Sequence, residues 1–146
     1  MEFKNHSLIE LRELLSSGKA TQEEIYQYFL DRAKQYNEEL HAFNTLPVPY
    51  THPEQNVTPP NLPFSGEGLG LPIAVKDLFC EAWIRTTASS KMLEDFVPPY
   101  ESTVTSRMKS AGFVSFGKTN MDEYAMGGSG ENSAFWPARN PWDPTR

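Results

Sequence analysis

Leu71-Pro-Ile-Ala-Val-Lys76-Asp77 is the stretch on which the fold turns. Its near-continuous apolar run has strand length and suits burial on both faces of a sheet. It ends by delivering a lysine and an aspartate. A helix is expected over Ser102–Ala111, with Val104, Met108 and Ala111 facing inward and Gly112 as its stop. Phe113, Val114 and Phe116 follow as a second strand closing at Gly117. Strand, helix and strand at this spacing predict a parallel pair within an α/β sheet.

Upstream of that unit, two helices carry strong local signals. Ser7 followed by Glu10 reads as a capping box, with Leu8, Leu11, Leu14 and Leu15 on one face and Gly18 as the stop. Thr21 followed by Glu24 repeats the signature, and Ile25, Tyr28, Phe29, Ala33 and Tyr36 recur at helical spacing. Residues 1–46 are thus expected to form a helical region. Residues 47–70 are dense in proline and glycine, which removes backbone donors and restricts preceding residues, so they read as a linker. Residues 71–146 form the main body, with a short helical turn near Asp122–Met126 and an aperiodic stretch from Asn132 onward.

The chain has 146 residues, enough for one domain with a core, and a net charge of −6. Without a run of basic residues, direct nucleic-acid binding has little electrostatic support. One cysteine, Cys80, permits no intrachain disulfide, and no apolar stretch is long enough to span a membrane. A soluble cytoplasmic protein is expected. His6, His41 and His52 lack metal-ligand spacing, so no metal site is expected.

Gly112-Phe-Val-Ser-Phe-Gly117-Lys118-Thr119 satisfies the pattern of a phosphate-binding loop. That mechanism needs a strand before the first glycine and a flexible loop after it. Here a helix precedes Gly112, and Phe-Val-Ser-Phe is itself strand-like, so its amides belong to a sheet ladder. Lys76 is a more promising residue. An ammonium brought out of an apolar strand is costly to bury without a partner, and is useful where a neutral amine serves as base. The plainer alternative is a lysine that reaches solvent or pairs with Asp77. Met126-Gly-Gly-Ser-Gly130 can be a tight turn, or a loop whose glycines let backbone approach a ligand.

Four segments occur in one order: Pro72-Ile-Ala-Val-Lys76-Asp77, Thr86-Thr-Ala-Ser-Ser-Lys-Met-Leu93, Gly117-Lys-Thr-Asn-Met-Asp-Glu-Tyr-Ala-Met-Gly-Gly-Ser129 and Asn140-Pro-Trp142. Together they resemble the amidase signature family. The wording around Met121–Ser129 is most similar to its branch of glutamine-hydrolysing subunits of tRNA-dependent amidotransferases. The resemblance implies an α/β fold in which an N-terminal helical pair precedes a mixed β-sheet core flanked by helices.

It also implies chemistry. Family members hydrolyse amides with a Ser–Ser–Lys arrangement, in which the lysine matching Lys76 acts uncharged as the general base. An ammonium cannot accept a proton, so burial must favour the neutral amine. Backbone donors stabilise the oxyanion. Gly127, Gly128 and Ser129 correspond to lining of the substrate cavity, with Ser129 a contact for glutamine. Asp122 and Glu123 are taken as structural. The implied partners are the B and C subunits of the amidotransferase, with tRNA held mainly by the B subunit. No cofactor is expected in this chain, ATP and magnesium being used at the B subunit.

One departure matters. In the family the segment bearing both catalytic serines follows the Asn-Pro-Trp segment, beyond the position of Arg146. Ser89, Ser90, Ser129 and Ser133 lack that motif's context, and none is assigned as nucleophile. The chain is therefore expected to be an N-terminal fragment, inactive alone and marginally stable. The proline-rich 47–66 segment is a second departure, altering a surface connection. Another amidase-signature hydrolase, or a truncated non-catalytic interaction module, are the competing readings.

Overall fold

The computed structural model describes residues 2–48 and 68–146. Helix α1 spans Leu8–Ser16 and α2 spans Gln22–Leu40, each opening on a closed capping box. Ser7 N donates to Glu10 at 2.6 Å, and Glu10 N donates back to Ser7 Oγ at 3.3 Å. The Thr21–Glu24 pair repeats this at 2.8 and 3.2 Å. These bonds from the capping residues hold both glutamates below their ordinary pKa, so the caps weaken as pH falls through the lowered values. Among the described residues no helix is long and apolar enough to cross a membrane.

The sheet has three strands: β1 (Phe43–Thr45), β2 (Pro72–Lys76) and β3 (Val114–Thr119), in the order β1-β3-β2. Strands β2 and β3 run parallel, as the strand–helix–strand spacing predicts, and β1 is antiparallel to β3, which makes the sheet mixed. Strand β3 does not stop at Gly117. Pairing continues to Thr119 through an irregularity, because Ile73 pairs with Ser115 while Val75 pairs with Lys118. One extra β3 residue is absorbed there, the signature of a bulge. Gly117 sits at this point with φ +68°, and a Cβ on it would lie 2.7 Å from the Thr45 carbonyl oxygen. Only glycine fits.

Strand β2 corrects a second expectation, burial on both faces. Val75 is buried, whereas Ala74 and Lys76 are exposed. Among the described residues β2 is an edge strand, and α2 covers β3 and leaves the Ala74–Lys76 face open. The core is correspondingly split in two. Phe3, Leu11, Ala20, Ile25 and Leu71 form one cluster, and Tyr26, Leu30, Val114 and Phe116 form the other. Tyr26 meets Phe116 edge to face with centroids 5.1 Å apart.

The helical faces are rotated from their expected positions. In α2 the sheet-facing stripe runs through Tyr26, Phe29, Leu30 and Ala33, while Ile25 joins the Phe3 and Leu11 cluster, Tyr36 is exposed and Tyr28 packs against Phe3. Leu8 of α1 is also exposed. Helix α3 spans Thr103–Ser110 with Ser102 as its cap, and Val104, expected inward, is 50% exposed. Thr105 is the buried residue because its hydroxyl bonds the Cys80 carbonyl at 3.1 Å, so a polar contact sets the helix rotation. Of the 47–70 linker, residues 49–67 lie outside the described residues, as does His52.

Candidate functional site

Strand β2 ends at Lys76, whose side chain is exposed and has no hydrogen bond or ion pair to another described residue. The buried lysine of this fold is another one, Lys118. The next residue, Asp77, is fully buried and does not pair with Lys76. Its carboxylate accepts from Thr87 N at 3.1 Å, from the Thr87 hydroxyl and from Asn44 Nδ2 at 2.9 Å. Three donors satisfy a buried charge that would otherwise be prohibitive. Asp77 N donates to the Thr119 carbonyl at 3.2 Å, which ties this anchor to β3.

From Asp77 the bonding spreads into two loops. Ala88 N donates to the Asp77 carbonyl, and Tyr124 N donates to the Ala88 carbonyl, each at 2.9 Å. Two backbone bonds thus connect the end of β2 with the turn that enters the glycine loop. Ser89 Oγ accepts from Asn44 Nδ2 at 2.7 Å and from Met121 N at 3.1 Å, and donates to Asn120 Oδ1 at 3.1 Å. Asn120 Nδ2 in turn donates to the carbonyls of His41 and Trp136. Ser90 Oγ accepts from Met92 N. Ala88, Ser89, Tyr124 and Ala125 all have φ between +49° and +60°. Such left-handed backbone at non-glycine residues costs about 1–2 kcal/mol each, and it persists here under this dense bonding.

Gly127, Gly128 and Ser129 lie exposed on the loop that this network carries. Asp122 holds the loop rather than capping the Glu123–Ala125 turn, since its side chain makes no cap bond. Its carboxylate accepts from Asn132 N at 2.9 Å and from Gly130 N at 3.0 Å, and those backbone donors keep its pKa below the ordinary value. Gly127 is required by this clamp: a Cβ there would lie 2.6 Å from Asp122 Cγ, whereas a Cβ on Gly128 meets nothing within 4 Å. Gly127→Ala is therefore expected to shift the Gly130 and Asn132 amide resonances and to lower Tm. Gly128→Ala is expected to leave both unchanged. Equal effects from the two would contradict the clamp.

A second network lies beneath the opposite face of the sheet. Lys118 and Glu81 are both 0% exposed. Lys118 Nζ donates to the Phe79 carbonyl, donates to Thr86 Oγ1 at 3.0 Å, and approaches Glu81 at 3.9 Å. Glu81 accepts from Ser115 Oγ at 2.9 Å and pairs with Lys109 at 3.4 Å. Burial pushes the Lys118 pKa down, and Glu81 and Asp77 oppose that shift. The segment matching a phosphate loop is thus a strand whose lysine points inward. Val114 N bonds the Leu71 carbonyl at 3.0 Å, in keeping with a sheet ladder.

In the sequence Thr87, Ser89 and Asn120 stood out only as parts of motifs, and Asn44 and Glu81 carried no signal of their own. An open apolar groove of 430 Å³ runs between α2 and the outer face of β2, past Pro72 and Ala74. Among the described residues no group of histidine, cysteine, aspartate or glutamate is placed to hold a metal ion.

Residues 24–146 match the family described as amidase. The A subunit of the glutamyl-tRNA(Gln) amidotransferase from Aromatoleum aromaticum is 45% identical over 97% of this chain, which covers 29% of that relative. The protein of the same name from Cutibacterium acnes is 46% identical over 94% of this chain and 28% of the relative. Among solved structures, the Thermotoga maritima protein of that name superposes with a TM-score of 0.82 and 34% identity, covering 100% of this chain and 29% of that one. A 6-aminohexanoate cyclic dimer hydrolase shares the fold at a TM-score of 0.81, 24% identity and 97% coverage of this chain, which spans 29% of that chain. The chain thus spans about three tenths of the length of the relatives it matches.

Proposed function

This chain belongs to the amidase family, and we propose that it supplies part of the glutamine-hydrolysing subunit of a tRNA-dependent amidotransferase. The observation that carries the reading is 45% identity, sustained over 97% of the chain, to a relative named as that subunit. In this reaction glutamine and water give glutamate and ammonia. The ammonia then converts Glu-tRNA(Gln) to Gln-tRNA(Gln) at a B subunit using ATP and magnesium, within a complex that also contains a C subunit.

In this reading Lys76 is the general base. What supports it is its exposed position at the end of β2, next to an aspartate that locks the strand end. A lysine serves as base only as the neutral amine, whose lone pair accepts the proton. Gly127, Gly128 and Ser129 line the amide site. Their support is the bonded path from Asp77 through Ala88 to Tyr124, which fixes the loop relative to β2. The nucleophilic and bridging serines are contributed by sequence outside these 146 residues, so the 146 residues alone do not hydrolyse glutamine.

The test is a chimera joining residues 1–146 to the unmatched remainder of the Thermotoga maritima protein, expressed with that organism's B and C subunits. Ammonia release from glutamine and formation of Gln-tRNA(Gln) are expected, with neither from the 146 residues alone. A folded, assembled chimera that cleaves simple amides but leaves glutamine intact would overturn the glutamine assignment.

A further inference from the structure

We propose that Gly128 is a specificity-determining residue of the amide site: its lack of a side chain leaves a notch in the loop that admits amides carrying a polar group of amino-acid size. The inference rests on the reading of residues 127–129 as lining of that site.

The glycines on either side have explanations within the fold. Gly127 has no room for a Cβ, which would lie 2.6 Å from Asp122 Cγ, and Gly130 has φ +78°. Gly128 is under neither constraint. Its φ is not positive, and a Cβ on it would meet nothing within 4 Å. The backbone around it is nonetheless held in place. Asp122 bonds the amides of Gly130 and Asn132, and Tyr124 N bonds the Ala88 carbonyl. Glycine loses more freedom than any other residue when a chain is ordered, so a glycine in a clamped loop is costly unless its smallness is used. Local packing does not use it at 128.

What glycine supplies there is space against the backbone. Among the described residues the N–H groups of Gly127 and Gly128 have no hydrogen-bond partner, and both residues are exposed. A side chain at 128 would stand over these donors, whereas glycine lets an oxygen of the substrate reach them. The flanking positions fit the same kind of ligand. Met126 is 77% exposed and offers apolar surface to a carbon chain. Ser129, exposed on the other side, brings a hydroxyl that accepts only from Glu131 N at 3.4 Å and keeps its proton for a ligand. Space, two backbone donors and a hydroxyl beside an apolar wall suit an amide with a polar head group better than a short alkyl amide.

The test places Gly128→Ala and Gly128→Val in the chimera assembled with the B and C subunits. It measures kcat and KM for glutamine and for propionamide, a primary amide without the amino-acid head group. Alanine is expected to lower the ratio of kcat/KM for glutamine to that for propionamide about tenfold, and valine more than about a hundredfold, the scale on which a pocket senses one added carbon or several. The loss for glutamine is expected in KM, because the notch excludes the bound substrate as much as the transition state. A ratio unchanged by both variants, or equal losses for both amides, would overturn the proposal. So would a lowered Tm or failed assembly of the alanine variant, which would mean that the glycine is kept for packing against the rest of the domain. If the unsubstituted chimera leaves glutamine intact but cleaves another amide, the proposed function fails alone, and that amide is compared with its shorter homologue. A chimera that cleaves no amide would overturn both.

Discussion

Replacing Lys76 by alanine is expected to reduce glutamine hydrolysis by the full-length chimera about 10³-fold, since a positioned general base contributes roughly 10²–10⁴-fold. Lys76→Arg is expected to fall as far, because a guanidinium keeps the positive charge but cannot give up its proton to become a base. Neither change should disturb folding. The Lys76 side chain is exposed and bonds no other described residue, while Asp77 carries the structural contacts of this strand end. The rate of ammonia release, with circular dichroism as the control, decides the matter. Arginine retaining activity within tenfold of lysine would assign the residue an electrostatic role. Alanine retaining it would remove Lys76 from the chemistry altogether.

The second large effect concerns stability. Glu81→Ala is expected to destabilise the 146-residue chain by about 3–5 kcal/mol, the usual cost of removing one partner from a buried ion pair. The mutation strips Lys109 of one partner, leaves Ser115 Oγ without its acceptor, and deprives buried Lys118 of its nearest carboxylate. Such a loss rivals the whole stability of a domain of about 5–15 kcal/mol. Glu81→Gln retains a side-chain acceptor for Ser115 and should cost less than alanine. Urea unfolding measures both, and a loss below about 1 kcal/mol for alanine would mean that water or side-chain movement replaces the carboxylate.

Features signalled by neighbouring residues were legible in the sequence. Ser7 with Glu10 and Thr21 with Glu24 announce the two helix starts, because a capping box is closed within four residues. Pro72–Lys76 reads as a strand from its own composition, and its parallel pairing with β3 follows from the intervening helix. Features that depend on distant partners were not. Strand β1 has three residues with Asn44 at its centre, and exists because β3 lies beside it. Tyr36 repeats the helical period, yet it stays exposed where it lines the open groove. For the candidate site, Lys76 and the glycine loop were visible as motif residues. The rack that joins them was not, since Asn44, Asp77, Ser89 and Asn120 meet only after three loops converge.

The bulge at Gly117 decides which lysine does what. With regular pairing after Ile73 and Ser115, Val75 would oppose Gly117 and Lys76 would oppose Lys118, setting two ammonium groups side by side on one face. The extra residue instead places Lys118 opposite Val75 and Thr119 opposite Lys76. One cation is sent inward to a carboxylate and the other outward to solvent. A single-residue deletion at Gly117 would therefore act as a parity switch, turning Lys118 out beside Lys76 and leaving Glu81 without its buried cation.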